Sequence, residues 1–174
     1  MYAERADMPV QTLIELLRGK GAHADPVACV EDLSPEIAGR SIEHWPHTIW
    51  QLVCHMNCWM EYEINRIHGN PRPYPEHAAE SWPVNAAPVD EGEWKAAVAQ
   101  FANLLGQLKT IAASDSEVLE RPVLPTGGPQ DKLSSSVHAV LWQLVSHNSY
   151  HVGQIAMIRR ALGVWPPRGG GDTW

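Results

Sequence analysis

The sequence is poor in basic residues and in long apolar runs. Its 13 Lys and Arg are outnumbered by 20 Asp and Glu, which gives a formal net charge of −7. A chain with this balance lacks the positive surface that binds phosphate groups, so we expect no nucleic-acid partner. No apolar run approaches the roughly 20 residues of a membrane span, so we expect no membrane partner either.

Cysteine is also scarce. The chain has only Cys29, Cys54 and Cys58, and a low, odd number of cysteines indicates reduced thiols and a cytoplasmic location. The first residues lack the apolar core of a signal peptide, which favours the same location. Tryptophan, by contrast, is abundant. The eight tryptophans predict a pocket, an interface or a core rich in aromatic rings.

Apolar residues recur at spacings of three and four in four segments, a pattern typical of amphipathic helices. The predicted helices cover residues 8–18, 47–68, 90–113 and 134–162. The proline-rich connection at 70–89 is unsuited to a helix or a central strand, and a second long connection covers 114–133. The sequence therefore predicts one domain over residues 1–174, an all-α four-helix bundle with two long crossover connections.

Two histidines interrupt the apolar face of the last predicted helix. On a helical wheel, His147 and His151 fall in the apolar stripe centred on Leu144. Asn148 falls in the same stripe, and Gln154 lies at its edge. A buried imidazole without partners is unfavourable, but two rings one turn apart can converge on one metal ion. The spacing alone leaves open a second interpretation, in which both rings hydrogen-bond to neighbouring helices.

A third metal ligand has to come from another helix. His55 is the best candidate, because it lies mid-helix beside the apolar stripe of the second predicted helix. Cys58 is a rival three residues later, and Glu61 and Glu63 are further candidates. No Glu-x-x-His pair occurs on either of two helices, which disfavours a di-iron carboxylate centre.

These segments carry a family resemblance. The motifs LSPEIAGRSIEHWPHTIWQLVCHM and SHNSYHVGQ are similar to those of the DinB-like (DinB/YfiT-type) superfamily of metal-binding four-helix bundles, and the similarity extends over nearly the whole chain. The resemblance implies that one histidine of the second long helix and two of the last bind a divalent ion. In this sequence those residues are His55, His147 and His151.

Three imidazole ligands leave a coordination position open, as in catalytic rather than structural zinc sites. Imidazole ligands suit zinc, nickel, copper or iron, so the residues do not fix the metal. We expect zinc or nickel, with iron or manganese as alternatives. Second-shell and substrate-side candidates are Asn148, Tyr150, Gln154 and Cys58. The sequence identifies no catalytic residue.

Relatives of known chemistry include S-transferases that use mycothiol or another low-molecular-weight thiol. The resemblance therefore favours a metal-dependent S-transferase that acts on a small molecule with such a thiol. A metal-dependent hydrolase, a non-catalytic metal-binding stress-response protein and a bundle with a vestigial site remain open. We also expect a homodimer, because bundles with an apolar outer helix face often dimerise and this chain is rich in tryptophan.

Overall fold

A computed structural model describes residues 10–19 and 22–169 of the chain. The seven α-helices of these residues are α1 (Val10–Leu17), α2 (Ala28–Glu31), α3 (Pro35–Ala38), α4 (Ile49–Ile67), α5 (Glu91–Ala112), α6 (Ser116–Glu120) and α7 (Val137–Ala161). Single turns of 3-10 helix span Ala78–Ser81 and Pro129–Lys132. Within the described ranges there is no β-strand, only an isolated bridge between Pro122 and Ser136. The predicted all-α class is confirmed, while the predicted first residues of α1, 8 and 9, lie outside the described ranges.

The three longest helices begin at side chains that satisfy free backbone N–H groups. The side chains of Thr48, Asp90 and Ser136 accept hydrogen bonds from the first turns of α4, α5 and α7. Glycines in the left-handed region follow α4 and α7, namely Gly69 at φ 81° and Gly163 at φ 72°. The helix predicted over residues 47–68 therefore begins at Ile49, two residues after its predicted start, because Thr48 is the cap and not part of the helix.

The bundle is formed by α1, α4, α5 and α7, with α1 and α4 each packed against α5 and α7. Its core consists of apolar side chains that are almost completely buried, among them Val53, Met56, Met60, Phe101, Leu108, Leu141 and Ile155. Each such side chain contributes about 1.5–3 kcal/mol when it leaves water. In the described part of the chain, no helix combines the length and the apolar character needed to cross a membrane.

A buried arginine at the end of α7 fastens the N-terminal helices to the bundle. Arg159 is 1% exposed, and its Nη1 lies 2.6 Å from Asp32 Oδ1. The same nitrogen donates to the carbonyl of Cys29 at 2.8 Å, and Nη2 donates to the carbonyl of Val164 at 2.8 Å. One side chain therefore joins α2, the segment after it, and the chain that follows α7.

Candidate metal centre

Three histidine rings meet between α4 and α7. His55 comes from α4, and His147 and His151 come from successive turns of α7. Each offers a ring nitrogen, and the three nitrogens all lie within 4.8 Å of one another. The Nε2 atoms of His55 and His147 are 3.2 Å apart. The fold thus brings together the three histidines that the sequence singled out.

The second nitrogen of each ring is held by a polar side chain. The three pairs are His55 Nδ1 with Ser81 Oγ at 3.0 Å, His147 Nδ1 with Asn148 Oδ1 at 3.3 Å, and His151 Nδ1 with Gln154 Oε1 at 2.7 Å. An amide oxygen only accepts, so in the last two pairs the imidazole Nδ1 carries the proton. Nε2 of those two rings then keeps a free lone pair, which is the arrangement that metal-binding imidazoles need.

An indole from the first crossover connection fixes the His55 ring from its other side. Trp82 is stacked between His47 and His55. Its ring centroid lies 3.7 Å from that of His47 and 3.8 Å from that of His55, and each pair of rings is within 9° of parallel. The sequence predicted an irregular connection over residues 70–89, but it did not predict that Ser81 and Trp82 contact His55. An irregular segment has no periodicity from which such a contact can be read.

Burial keeps the three rings neutral. Removal from water and, to a smaller extent, the neighbouring His147 and His151 together lower the pKa of His55 to about 3. Burial likewise lowers the pKa of His147 to about 4, with His151 adding to the effect, and it lowers the pKa of His151. Neutral imidazole is the form that binds a metal, so these rings need not lose a proton at pH 7 to do so.

The three nitrogens form a group that could hold one divalent cation. Nitrogen ligands lie about 2.0–2.1 Å from zinc, so two of them at a tetrahedral angle are about 3.3 Å apart. The 3.2 Å between the Nε2 atoms of His55 and His147 agrees with that spacing. Three neutral nitrogen ligands leave at least one position for a further molecule, as in catalytic sites.

The histidines form one wall of a cavity of about 520 Å³. Trp59, Tyr74 and Tyr150 supply aromatic walls, and Glu63, Gln130 and Gln143 supply polar ones. The cavity is therefore large enough for a small organic molecule that reaches the histidines. Tyr150, one of the predicted substrate-side residues, lines it, whereas Asn148 and Gln154 act on the ligand rings instead.

The structure does not bring Cys58 to the histidine cluster. Its thiol is exposed and is not part of the cavity lining. Glu61 is also directed outward, where it lies 3.7 Å from Arg72 on the surface. Glu63, by contrast, is 2% exposed and lines the cavity. Helix geometry separates the two glutamates, because residues two apart on a helix do not share a face.

Comparison with known protein families gives a match over most of the chain. The family model described as "MST: Mycothiol-S-transferase" matches residues 14–163, a range that includes all three histidines. That family is part of the DinB/YfiT-like superfamily, so the resemblance stated from the sequence motifs is confirmed. No curated protein gives a significant match.

Proposed function

The chain belongs to the mycothiol-S-transferase family, and we propose that it transfers mycothiol or a similar small thiol to an electrophilic carbon of a second substrate. His55, His147 and His151 hold a divalent metal ion in this proposal. The observation that carries it is the convergence of three neutral imidazole nitrogens on the wall of a cavity of about 520 Å³.

In the transfer a carbon–sulfur bond forms, the bond from that carbon to its leaving group breaks, and the thiol proton passes to solvent. The difficulty at neutral pH is that a free thiol has a pKa of about 8.5, so the nucleophilic thiolate is scarce. A divalent ion in the site would supply acidity to the thiol, since a coordinating thiol is deprotonated.

The chain's own residues position the histidine rings and the substrates in this proposal. Ser81, Asn148 and Gln154 fix the ring positions through their bonds to the Nδ1 atoms. The aromatic rings of Trp59, Tyr74 and Tyr150 provide apolar walls that suit an apolar electrophile. Because the electrophile and the thiol would share one cavity, their reacting atoms are held close together.

The test combines metal analysis with turnover. Protein purified without a histidine tag should contain about one divalent ion per chain, with zinc or nickel expected from the imidazole ligands and iron or manganese as alternatives. It should conjugate mycothiol to monochlorobimane. His151→Ala should lose both the metal and the activity, whereas His138→Ala, on the same helix but outside the cluster, should keep both. Unchanged metal content in His151→Ala would contradict the proposal.

We also propose that the protein works in the cytoplasm as a homodimer. The free thiols of Cys29, Cys54 and Cys58 support a reducing compartment. The exposed apolar side chains of Tyr150 and Met157, two turns apart on α7, support an interface there. Light scattering should give twice the mass of one chain, and Met157→Lys should shift the mass toward the monomer.

A further inference from the structure

The side chain that caps α4 also holds the connection between α4 and α5. The Thr48 hydroxyl accepts from Gln51 N at 3.2 Å, which is the helix cap, and donates to the carbonyl of Ala86 at 2.6 Å. Thr48 is 2% exposed, so bulk water does not compete for either bond. A hydroxyl has one proton to donate, and here the acceptor is 38 residues further along the chain. One hydroxyl therefore both starts the helix and binds the connection that follows it.

The partner of Thr48 in the cap makes a second, longer bond to the same segment. Gln51 Oε1 accepts from Thr48 N at 3.1 Å, and Gln51 Nε2 donates to the carbonyl of Pro83 at 3.4 Å. Both polar ends of this amide are used, one for the helix and the other for the connection. The capping box of α4 therefore binds the backbone of the connection at two points.

The same segment is also packed closely against the end of α3. A Cβ atom placed on Gly39 would lie 2.3 Å from the Ala87 Cβ and 2.8 Å from the Ala87 Cα. The φ of Gly39 is −89°, which any residue adopts, so this position needs a glycine for space and not for conformational freedom. The backbone at residues 86 and 87 is therefore held by the cap of α4 and by the end of α3.

The segment held in this way begins with the residues that contact His55. Ser81 Oγ lies 3.0 Å from His55 Nδ1, and the Trp82 indole is stacked on the His55 ring with the ring centroids 3.8 Å apart. Pro83 comes directly after Trp82, so its bond to α4 limits the movement of the indole. The position of the connection therefore decides whether the His55 ring keeps both contacts.

We propose that Thr48 is a positioning residue of the metal centre, because its hydroxyl fixes the connection that orients the His55 ring. Thr48 precedes His55 by seven residues, about 10 Å along the axis of α4, so it acts through the connection and not by contact with the ring. Side chains that orient a ligand ring change metal affinity by about 10–100-fold, and Thr48 stands one step behind such side chains. This inference rests on the proposed function, since it takes His55 as a metal ligand.

The variant Thr48→Asp separates the two roles of the hydroxyl. Aspartate caps a helix as well as threonine does, so α4 should keep its cap, but a carboxylate at pH 7 has no proton for the carbonyl of Ala86. Thr48→Ser keeps both the acceptor and the donor and should behave as the wild type. The matched control is Ser136→Asp, the same exchange at the cap of α7, where the hydroxyl accepts from Ala139 N.

The first measurement is the affinity for zinc alone, determined by competition with a chelator. Thr48→Asp should bind zinc about tenfold more weakly than the wild type, at the lower end of the range for side chains that orient a ligand ring. Thr48→Ser and Ser136→Asp should match the wild type. Unchanged affinity in Thr48→Asp would overturn the proposal, and so would an equal loss in Thr48→Ser.

The second measurement follows the His55 ring by proton NMR of the full chain with zinc in excess. The His55 ring lies over the face of the Trp82 indole, so the indole ring current should shift its proton resonances upfield. His147, whose ring is tilted against His55, serves as the internal reference. In Thr48→Asp the His55 resonances should move downfield, and in Thr48→Ser they should stay in place. Weaker zinc binding with unchanged His55 resonances would contradict positioning through the connection.

A second position tests the same connection from α3. Gly39→Ala places a methyl group against the backbone of Ala87, so residues 86–87 have to shift, and zinc affinity and the His55 resonances should change as in Thr48→Asp. The control is Gly106→Ala on α5, where a Cβ atom meets nothing within 4 Å, and it should change neither. If Thr48→Asp does not fold, wild-type values in Gly39→Ala would overturn the proposal.

The positioning role and the proposed function can fail separately. If the wild type conjugates mycothiol and Thr48→Asp keeps both the zinc affinity and the His55 resonances, the positioning role is wrong and the function stands. If the wild type takes up no zinc, the proposed function fails, and the His55 resonances alone decide whether Thr48 positions the ring.

Discussion

Arg66 and Arg159 are both buried to 1% exposure, yet their surroundings differ. Around Arg159, the Asp32 carboxylate is bonded through both oxygens, and Arg168 N adds a further bond to it at 2.9 Å. Around Arg66, the Glu63 carboxylate uses one oxygen and leaves the other without a partner in the described part of the chain. In the first cluster both oxygens of the carboxylate accept hydrogen bonds. In the second cluster, which borders the histidine cavity, one carboxylate oxygen has no hydrogen-bond partner.

The comparison shows how two similar ion pairs can serve different purposes. A fully bonded cluster that joins distant segments acts on stability, because removing one partner leaves a buried charge unpaired. A cluster that leaves a buried acceptor unpaired gives up part of that stability. Burial alone does not distinguish the two; the completeness of hydrogen bonding does.

The largest effect is expected from removing Arg159. Arg159→Met should lower the free energy of unfolding by about 3–5 kcal/mol, because Asp32 and two backbone carbonyls lose their donor in a buried place. Urea denaturation followed by circular dichroism measures this change. The exposed Arg160→Met is the neighbouring control and should change stability by less than about 1 kcal/mol. Equal losses in the two variants would contradict a structural role for the Arg159 cluster.

Matched amide substitutions in the two clusters should give a smaller but more informative difference. Asp32→Asn replaces an acceptor oxygen that is bonded by Arg159 and Arg168, so it should lower the free energy of unfolding by about 1.5–3 kcal/mol. Glu63→Gln changes an oxygen that has no partner, so the loss should stay below about 1 kcal/mol. Both are read from urea denaturation at pH 7. If Glu63→Gln proved the more damaging, the two clusters would not differ as described.

The smallest effect is in the pH dependence of stability, where the two carboxylates act in opposite directions. Burial opposes the ionisation of Asp32, but the bonds from Arg159 and Arg168 outweigh it and hold its pKa below the usual 3.8. Its stabilising contribution is therefore present above that value and is lost as the pH falls through the lowered pKa. Burial raises the pKa of Glu63 above 4.5, against the attraction of Arg66. Its contribution is present below that value and is lost as the pH rises through the raised pKa.

These opposite signs can be separated with the same two variants. Unfolding free energies measured from about pH 3 to about pH 8 should show a reduced loss in acid for Asp32→Asn. Glu63→Gln should instead reduce the loss on the alkaline side. If both variants changed the dependence of the unfolding free energy on pH in the same direction, the pKa values of the two carboxylates would not be shifted in opposite directions.

The helices and the two clustered histidines of α7 could be predicted from the sequence because both follow from the periodicity of apolar residues. The apolar stripe located α7, and the same wheel identified His147 and His151 as side chains facing the bundle. His55 followed from the stripe of α4 together with the family motif. Side chains whose role depends on tertiary contacts could not be identified from the periodicity of the sequence.

Ser81 and Trp82 lie in an irregular connection, and their contacts with His55 depend on how that segment folds back over α4. Nothing in the sequence distinguishes Gln130 and Gln143 from other glutamines, because only the folded structure shows that both line the histidine cavity. Glu63 was a candidate on helix position, but its buried pairing with Arg66 distinguishes it from its exposed neighbour Glu61. Sequence periodicity identifies which face a residue occupies, and it does not identify which hydrogen bonds are left open.

Connections between helices are ordinarily the parts of a bundle that can be shortened or exchanged with little harm. The indole of Trp82, held between two imidazoles, removes that freedom from residues 70–89. A shorter linker in their place would release the His55 ring from its contacts with Ser81 and Trp82. Transplanting the three histidines onto another helical scaffold would therefore fail to reproduce this centre unless the indole were transplanted with them.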